Sequence, residues 1–141
     1  MNEYEREIEE KILEEYILHY RVEAESYRMM GKMLDEQLVK KRLELYEISD
    51  MYIYGGTYLA VQLYRAVGNN ANIRGIADKA GKIIVKVNVP VLTLEDLKKE
   101  YQNEMVIITP PIFYKEIKSE LLTFIEEKNI LFLGEFLEGL R

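Results

Sequence analysis

From Met51 onward the chain alternates short, β-rich apolar runs with longer amphipathic segments, and this alternation restricts the fold more than any other feature. "MYIYGG" is an apolar run stopped by glycines. "TYLAVQLYRAVGNN" has helical spacing and ends on Gly68 and two asparagines, a C-terminal stop signal. "NIRGIAD" reads as a second strand and "KIIVKVNVPVL" as holding a third, with Pro90 at an edge or strand end. Thr93 then caps a helix, "LEDLKKEY", with Asp96 three residues on in a capping box. "EMVIITPP" is a fourth strand, apolar enough to be buried on both faces. A long amphipathic helix, "IFYKEIKSELLTFIEEKN", a fifth strand, "ILFLGEF", and a terminal turn, "LEGLR", complete the series. Strands separated by helices imply right-handed βαβ crossovers and a parallel sheet. The simplest doubly wound arrangement is a five-stranded α/β sheet of order 3-2-1-4-5.

Residues 1–50 follow a different rule. They contain no proline, and Gly31 is their only glycine. Glu, Lys, Leu, Arg and Met dominate, all good helix formers. Ile12, Leu13, Tyr16, Ile17, Tyr20, Ala24 and Tyr27 recur at helical spacing, and Met30, Met33, Leu34, Leu38, Leu43 and Tyr46 resume the pattern. Gly31 marks the expected break, giving helices near 3–29 and 32–47; the alternative is one long helix kinked there. The expected organisation is therefore a helical extension over 1–48 and an α/β domain over 49–141. So broad an apolar stripe exceeds what one small α/β domain can cover, which points to a homodimer through the N-terminal helices. The competing expectation is that both helices fold back onto their own sheet.

The 141 residues suit a single domain, with 48% hydrophobic residues for its core. The net charge of −6 arises wholly within residues 1–50, while the remainder is balanced. An acidic half repels a phosphate backbone, and no basic stripe with interleaved aromatics occurs, so nucleic-acid binding is not expected. No apolar run approaches the roughly 20 residues that span a bilayer, and "MNEYEREIEE" has the acidity of neither a signal nor a transit peptide. With no cysteine there is no disulfide, thiol nucleophile or zinc–thiolate site. The expected location is cytoplasmic.

The succession "YIYGGTYLAVQLYRA", "IRGIADK", "VPVLTLEDL" and "MVIITPPIFYKEIKSEL" resembles Rossmann-like nucleotide-binding domains, in particular the small ones of bacterial polysaccharide and nucleotide-sugar proteins. The resemblance covers about residues 51–135. It implies a nucleotide or nucleotide-sugar ligand and a role in polysaccharide biosynthesis.

The glycine turn departs from the dinucleotide fingerprint Gly-x-Gly-x-x-Gly/Ala. Gly55 stands at the first glycine and Ala60 at the third, but Thr57 stands at the second, where a side chain crowds a pyrophosphate. Gly56 restores some freedom one residue early. The Thr57 hydroxyl can instead donate to a single phosphate beside the free N–H groups of Thr57, Tyr58 and Leu59 at the helix start. Asp78 lies 23 residues after Gly55, near the place of a ribose-binding acid. Thr109, with Tyr114 beyond it, ends the strand that adjoins the first across the switch point, where ligands of open α/β sheets bind. Simpler readings stand beside these: Gly55 as a tight turn, Asp78 as a turn former, Thr109 and Pro110 as a helix start.

Catalytic constellations are missing. His19 is the only histidine and lies in the helical half, so neither a catalytic triad nor a histidine metal site can be built. No P-loop occurs, and Tyr52–Tyr54 occupy the place where Rossmann-like methyltransferases carry an acid. No substrate domain with a proton donor accompanies the nucleotide-binding half. The expectation is an accessory or regulatory module that binds a mononucleotide, a nucleotide-sugar or NAD(P) and is not catalytic alone. The alternatives are a ligand-free scaffold acting as an interaction or assembly protein with a protein partner and, more weakly, a subunit of an NAD(P)-dependent oxidoreductase.

Overall fold

A computed structural model describes residues 2–140. Helices α1 (Glu3–Met33) and α2 (Glu36–Leu45) precede an α/β series. That series is β1 (Asp50–Tyr54), α3 (Tyr58–Val67), β2 (Asn72–Ala77), β3 (Val91–Leu92), α4 (Leu94–Glu100), β4 (Met105–Ile108), α5 (Tyr114–Leu121), β5 (Ile130–Phe132) and α6 (Leu133–Glu138). All four strand pairings are parallel and the order is β3-β2-β1-β4-β5. β1 is central because it is apolar on both faces: Met51 and Ile53 enter one core, Tyr52 and Tyr54 the other. α2, α3, α6 and the end of α1 cover the first face, and α4 and α5 cover the second.

Several elements differ from the expectation, each for a local reason. α1 passes straight through Gly31, whose missing side chain faces open space. The break falls at Asp35, whose carboxylate accepts from Gln37 N–H and Leu38 N–H and so starts α2. The last turns of α1 and all of α2 belong to the body: Met29, Met33, Val39 and Leu43 are buried in its larger core. The β-branched run 82–90 is not strand. Its Ile84 N–H is used on Gly56 O, and pairing with β2 begins only at Pro90 O, which accepts from Ile76 N–H. α5 stops at Leu121 and continues as turns. "LGEFLE" is helix α6, because Glu135 reaches back to the N–H of Phe132 and ends β5.

The remainder of α1 leaves the body. Every residue from 2 to 21 is exposed, a segment about 30 Å long at 1.5 Å per residue. The helix is continuous, so Met29 and Met33 fix its rotation. At 3.6 residues per turn, Leu13, Tyr16, Tyr20, Ala24 and Tyr27 point roughly 140–220° away from Met29. The apolar stripe therefore faces away from the sheet, and Tyr20 is 76% exposed. The fold-back expectation therefore holds for α2 and the last turns of α1 and fails for residues 2–21. Within α1, His19 lies 3.0 Å from Glu23 and Arg28 lies 3.9 Å from Glu25, and Lys32 near its end pairs with Glu138 of α6. Among the described residues, no helix is long and apolar enough to cross a membrane.

Candidate functional site at the glycine turn

β1 leaves the sheet through Gly55 at φ +131°, a conformation that favours glycine. Its N–H donates to Ala77 O at 2.7 Å, which ties the turn to the end of β2. A Cβ at this position would collide with Thr109 Oγ1 and lie 3.1 Å from Pro110 Cδ. A Cβ on Gly56 would collide with Lys82 O and stand 3.1 Å from the Asp78 carboxyl. The two glycines thus serve two neighbours: Gly55 admits the exit of β4, and Gly56 admits the loop after β2.

Thr57 is the N-cap of α3, at φ −110° and ψ −166°. A threonine at this position ordinarily accepts a hydrogen bond from its own helix, but here the side chain makes no capping bond and is exposed. Among the described residues, the N–H groups of Thr57, Tyr58 and Leu59 find no acceptor. The donor end of the helix and its dipole face the crevice unspent. Leu59 is buried in the core, whereas Tyr58 is 71% exposed at the rim.

Asp78 forms the expected turn and stands at the carboxyl end of β2. Its Oδ2 accepts from Ala80 N–H at 3.0 Å and its carbonyl accepts from Gly81 N–H, which makes the turn. Its N–H donates to Leu92 O, so β2 carries it to the sheet edge beside Gly56. Thr109 is placed differently from a ligand-facing residue. It is fully buried, and both its N–H and its hydroxyl donate to Tyr54 O at 3.0 Å. Its hydroxyl locks the ends of β1 and β4 together. Tyr114 donates to Glu135 Oε1 and packs on Phe132, 4.9 Å between ring centres.

Two cavities lie over these strand ends and share Asp78, Pro110 and Phe113. The larger, about 410 Å³, is bounded by Gly56–Leu59, by Pro110–Phe113, and by Ser26 and Met30 of α1. The smaller, about 310 Å³, is bounded by Tyr54, Gly55, Lys79, Glu116, Ile117 and Glu120. The halves differ in charge. The larger presents backbone donors and apolar walls, with Asp78 its only charged residue. The smaller gathers Asp78, Glu116 and Glu120 around one lysine. Burial, then Glu120, then Asp78 push the Tyr54 phenol up to about 12. An anion is favoured at the helix end and hydroxyl groups at the acidic end.

Phe113, Glu116, Glu120, Lys79 and Met30 were not legible as site residues from the fingerprint. Glu116 and Glu120 carry a usable signal, since i and i+4 on one helix share a face; Met30 carries none, because its position depends on how α1 crosses the body. A cavity of about 440 Å³ lies at the opposite edge of the sheet. Its polar groups bond to one another, as in Arg74–Asp50 and Asn129–Asn103, and it lies away from the carboxyl ends of the strands. Among the described residues, no group of His, Cys, Asp and Glu is gathered to hold a metal. No protein-family model matches the chain, and no curated protein and no solved structure matches it.

Proposed function

We propose that this chain is an accessory module that binds a mononucleotide or a nucleotide-sugar through the turn after β1 and does not catalyse a reaction by itself. One observation carries the reading: the first turn of α3 opens its N–H groups and the unused Thr57 hydroxyl into a crevice at the β1–β4 switch point, with Asp78 alongside. A single phosphate sits on the α3 N-terminus. The ribose or sugar hydroxyls lie against Asp78, with Glu116 and Glu120 beyond. NAD(P) fits less well, because the Thr57 side chain occupies the place of the second fingerprint glycine. The resemblance to Rossmann-like domains of bacterial polysaccharide proteins supports the same ligand class and a cytoplasmic setting. The module works as a homodimer through its N-terminal helices.

A thermal-shift panel of AMP, UDP, a UDP-sugar, NAD and NADP tests the reading. A ligand at 100 times its Kd stabilises by about 2.7 kcal/mol. A shift with UDP, AMP or the UDP-sugar, lost in Asp78→Ala, is expected; no shift with any member contradicts it. The ligand-free assembly reading keeps one specific observation, the outward apolar face of α1; a flat panel selects it.

A further inference from the structure

We propose that α1 pairs with α1 of a second copy as an antiparallel coiled coil, in a register that sets Ile17 against Tyr20 of the other copy. This specifies the partner and geometry of the assembly proposed above and rests on it. The first observation is spacing. Leu13, Ile17, Tyr20, Ala24 and Tyr27 fall alternately four and three residues apart, the repeat that keeps one seam facing a partner helix. All five are exposed, and the stripe lies on the side of α1 away from Met29 and Met33, so a partner helix meets it without entering the body. Most helical stability in proteins comes from packing an amphipathic face, and pairing supplies that packing to a segment whose residues are all exposed.

The second observation is charge, and it selects both partner and direction. One flank of the seam carries Glu7, Glu14, Arg21 and Arg28, acidic towards the N-terminus and basic towards the C-terminus. When a second copy crosses antiparallel, with its midpoint between Leu18 and His19, this flank meets itself reversed. Glu7 then faces Arg28 of the second copy and Glu14 faces its Arg21, each pair occurring twice by symmetry. The seam layers become Leu13 with Ala24, Ile17 with Tyr20 and, at each end, Tyr27 with Glu10, a large residue opposite a small one in the first. On the other flank Tyr16 lies beside Glu23. A parallel pair places Glu14 against Glu9 of the other copy, a like-charge contact that offsets its one attractive pair, Glu23 with Arg28, whereas the antiparallel pair has attractive contacts alone on this flank. Within its own chain, Arg28 has a loose contact with Glu25 at 3.9 Å and a longer-range attraction to Glu138, and among the described residues Glu7, Glu14 and Arg21 have no ion pair.

The chain has no cysteine, so engineered thiols report the geometry cleanly. The full chain carrying Leu13→Cys and Ala24→Cys together is expected to form a covalent dimer under mild oxidation, while either substitution alone is not. Charge reversal gives an independent reading. Glu14→Arg is expected to raise the dimer dissociation constant several-fold, and adding Arg21→Glu is expected to restore it. A dimer that cross-links through either single cysteine, or that Glu14→Arg tightens, overturns the antiparallel register and leaves the homodimer standing. A wild-type monomer of 16.7 kDa by light scattering at high micromolar concentration overturns both. These side chains are exposed, so unfolding of the body does not confound the result.

Discussion

The α/β body and the free part of α1 both carry a broad set of apolar side chains, yet they use them in opposite ways. In β1 and β4 the apolar residues are buried, Met105 at the start of β4 being half-buried: Ile53, Val106, Ile107 and Ile108 are all fully enclosed. In α1 the apolar stripe and the buried face lie on opposite sides of one cylinder. Periodicity in a sequence therefore specifies that a face is apolar, not which neighbour covers it. Phase decides that, and here Met29 and Met33 set the phase. A stripe out of phase with its own core is a surface meant for something else.

Glycine gives the sharpest way to break this comparison. Gly55→Val places a branched side chain at φ +131° against Thr109 and Pro110. It is expected to cost about 3 kcal/mol or more in urea denaturation, with loss of the cooperative transition as the extreme outcome. Gly31→Ala, in the open middle of α1, is expected to stabilise the helix by about 1 kcal/mol. Equal effects at the two sites would show that Gly31 is packed.

A smaller contrast comes from large-to-small changes. Leu63 in α3 is fully buried, and Leu63→Ala is expected to cost about 2–5 kcal/mol. Tyr20→Ala, measured at a concentration too low for association, is expected to change body stability by less than about 0.5 kcal/mol. A large loss at Tyr20 under those conditions would place α1 against its own body.

The smallest effect is in alkaline titration. The folded state holds the Tyr54 proton up to about 12, whereas an unfolded phenol releases it near 10. This contribution to stability is full below pH 10 and is lost as the pH rises towards 12. Tyr54→Phe is expected to flatten that slope; an unchanged slope assigns it to other tyrosines.

Much of the fold was legible because each strand announces itself and its exit. Gly55, Asp78 and Thr109 all stand at the carboxyl edge of the sheet where the sequence places them, and the box between Thr93 and Asp96 forms as read. What misled was composition without hydrogen-bond demand. Ile83, Val87 and Val89 pack against the core without strand partners, since the loop they occupy spends its backbone on Gly56. Gly31 looked like a break because glycine weakens helices, while Asp35, a much stronger N-cap, carried the real one. In the site, Thr109 looked like a ligand residue because position alone cannot reveal that its hydroxyl is already committed to Tyr54 O. The acidic end of the crevice depended on α5 swinging Glu116 and Glu120 over β1, a tertiary fact.

The central claim is that the first turn of α3 holds a phosphate. Amide chemical-shift mapping during titration with UDP, and separately with AMP, tests it residue by residue. The account predicts that one of the two moves the amides of Thr57, Tyr58 and Leu59 most, followed by Gly56 and Asp78, while the amides of residues 3–21 stay still. Saturating additions of both that leave residues 55–60 unmoved, or that move the amides around Arg74 and Asn103 instead, would contradict it.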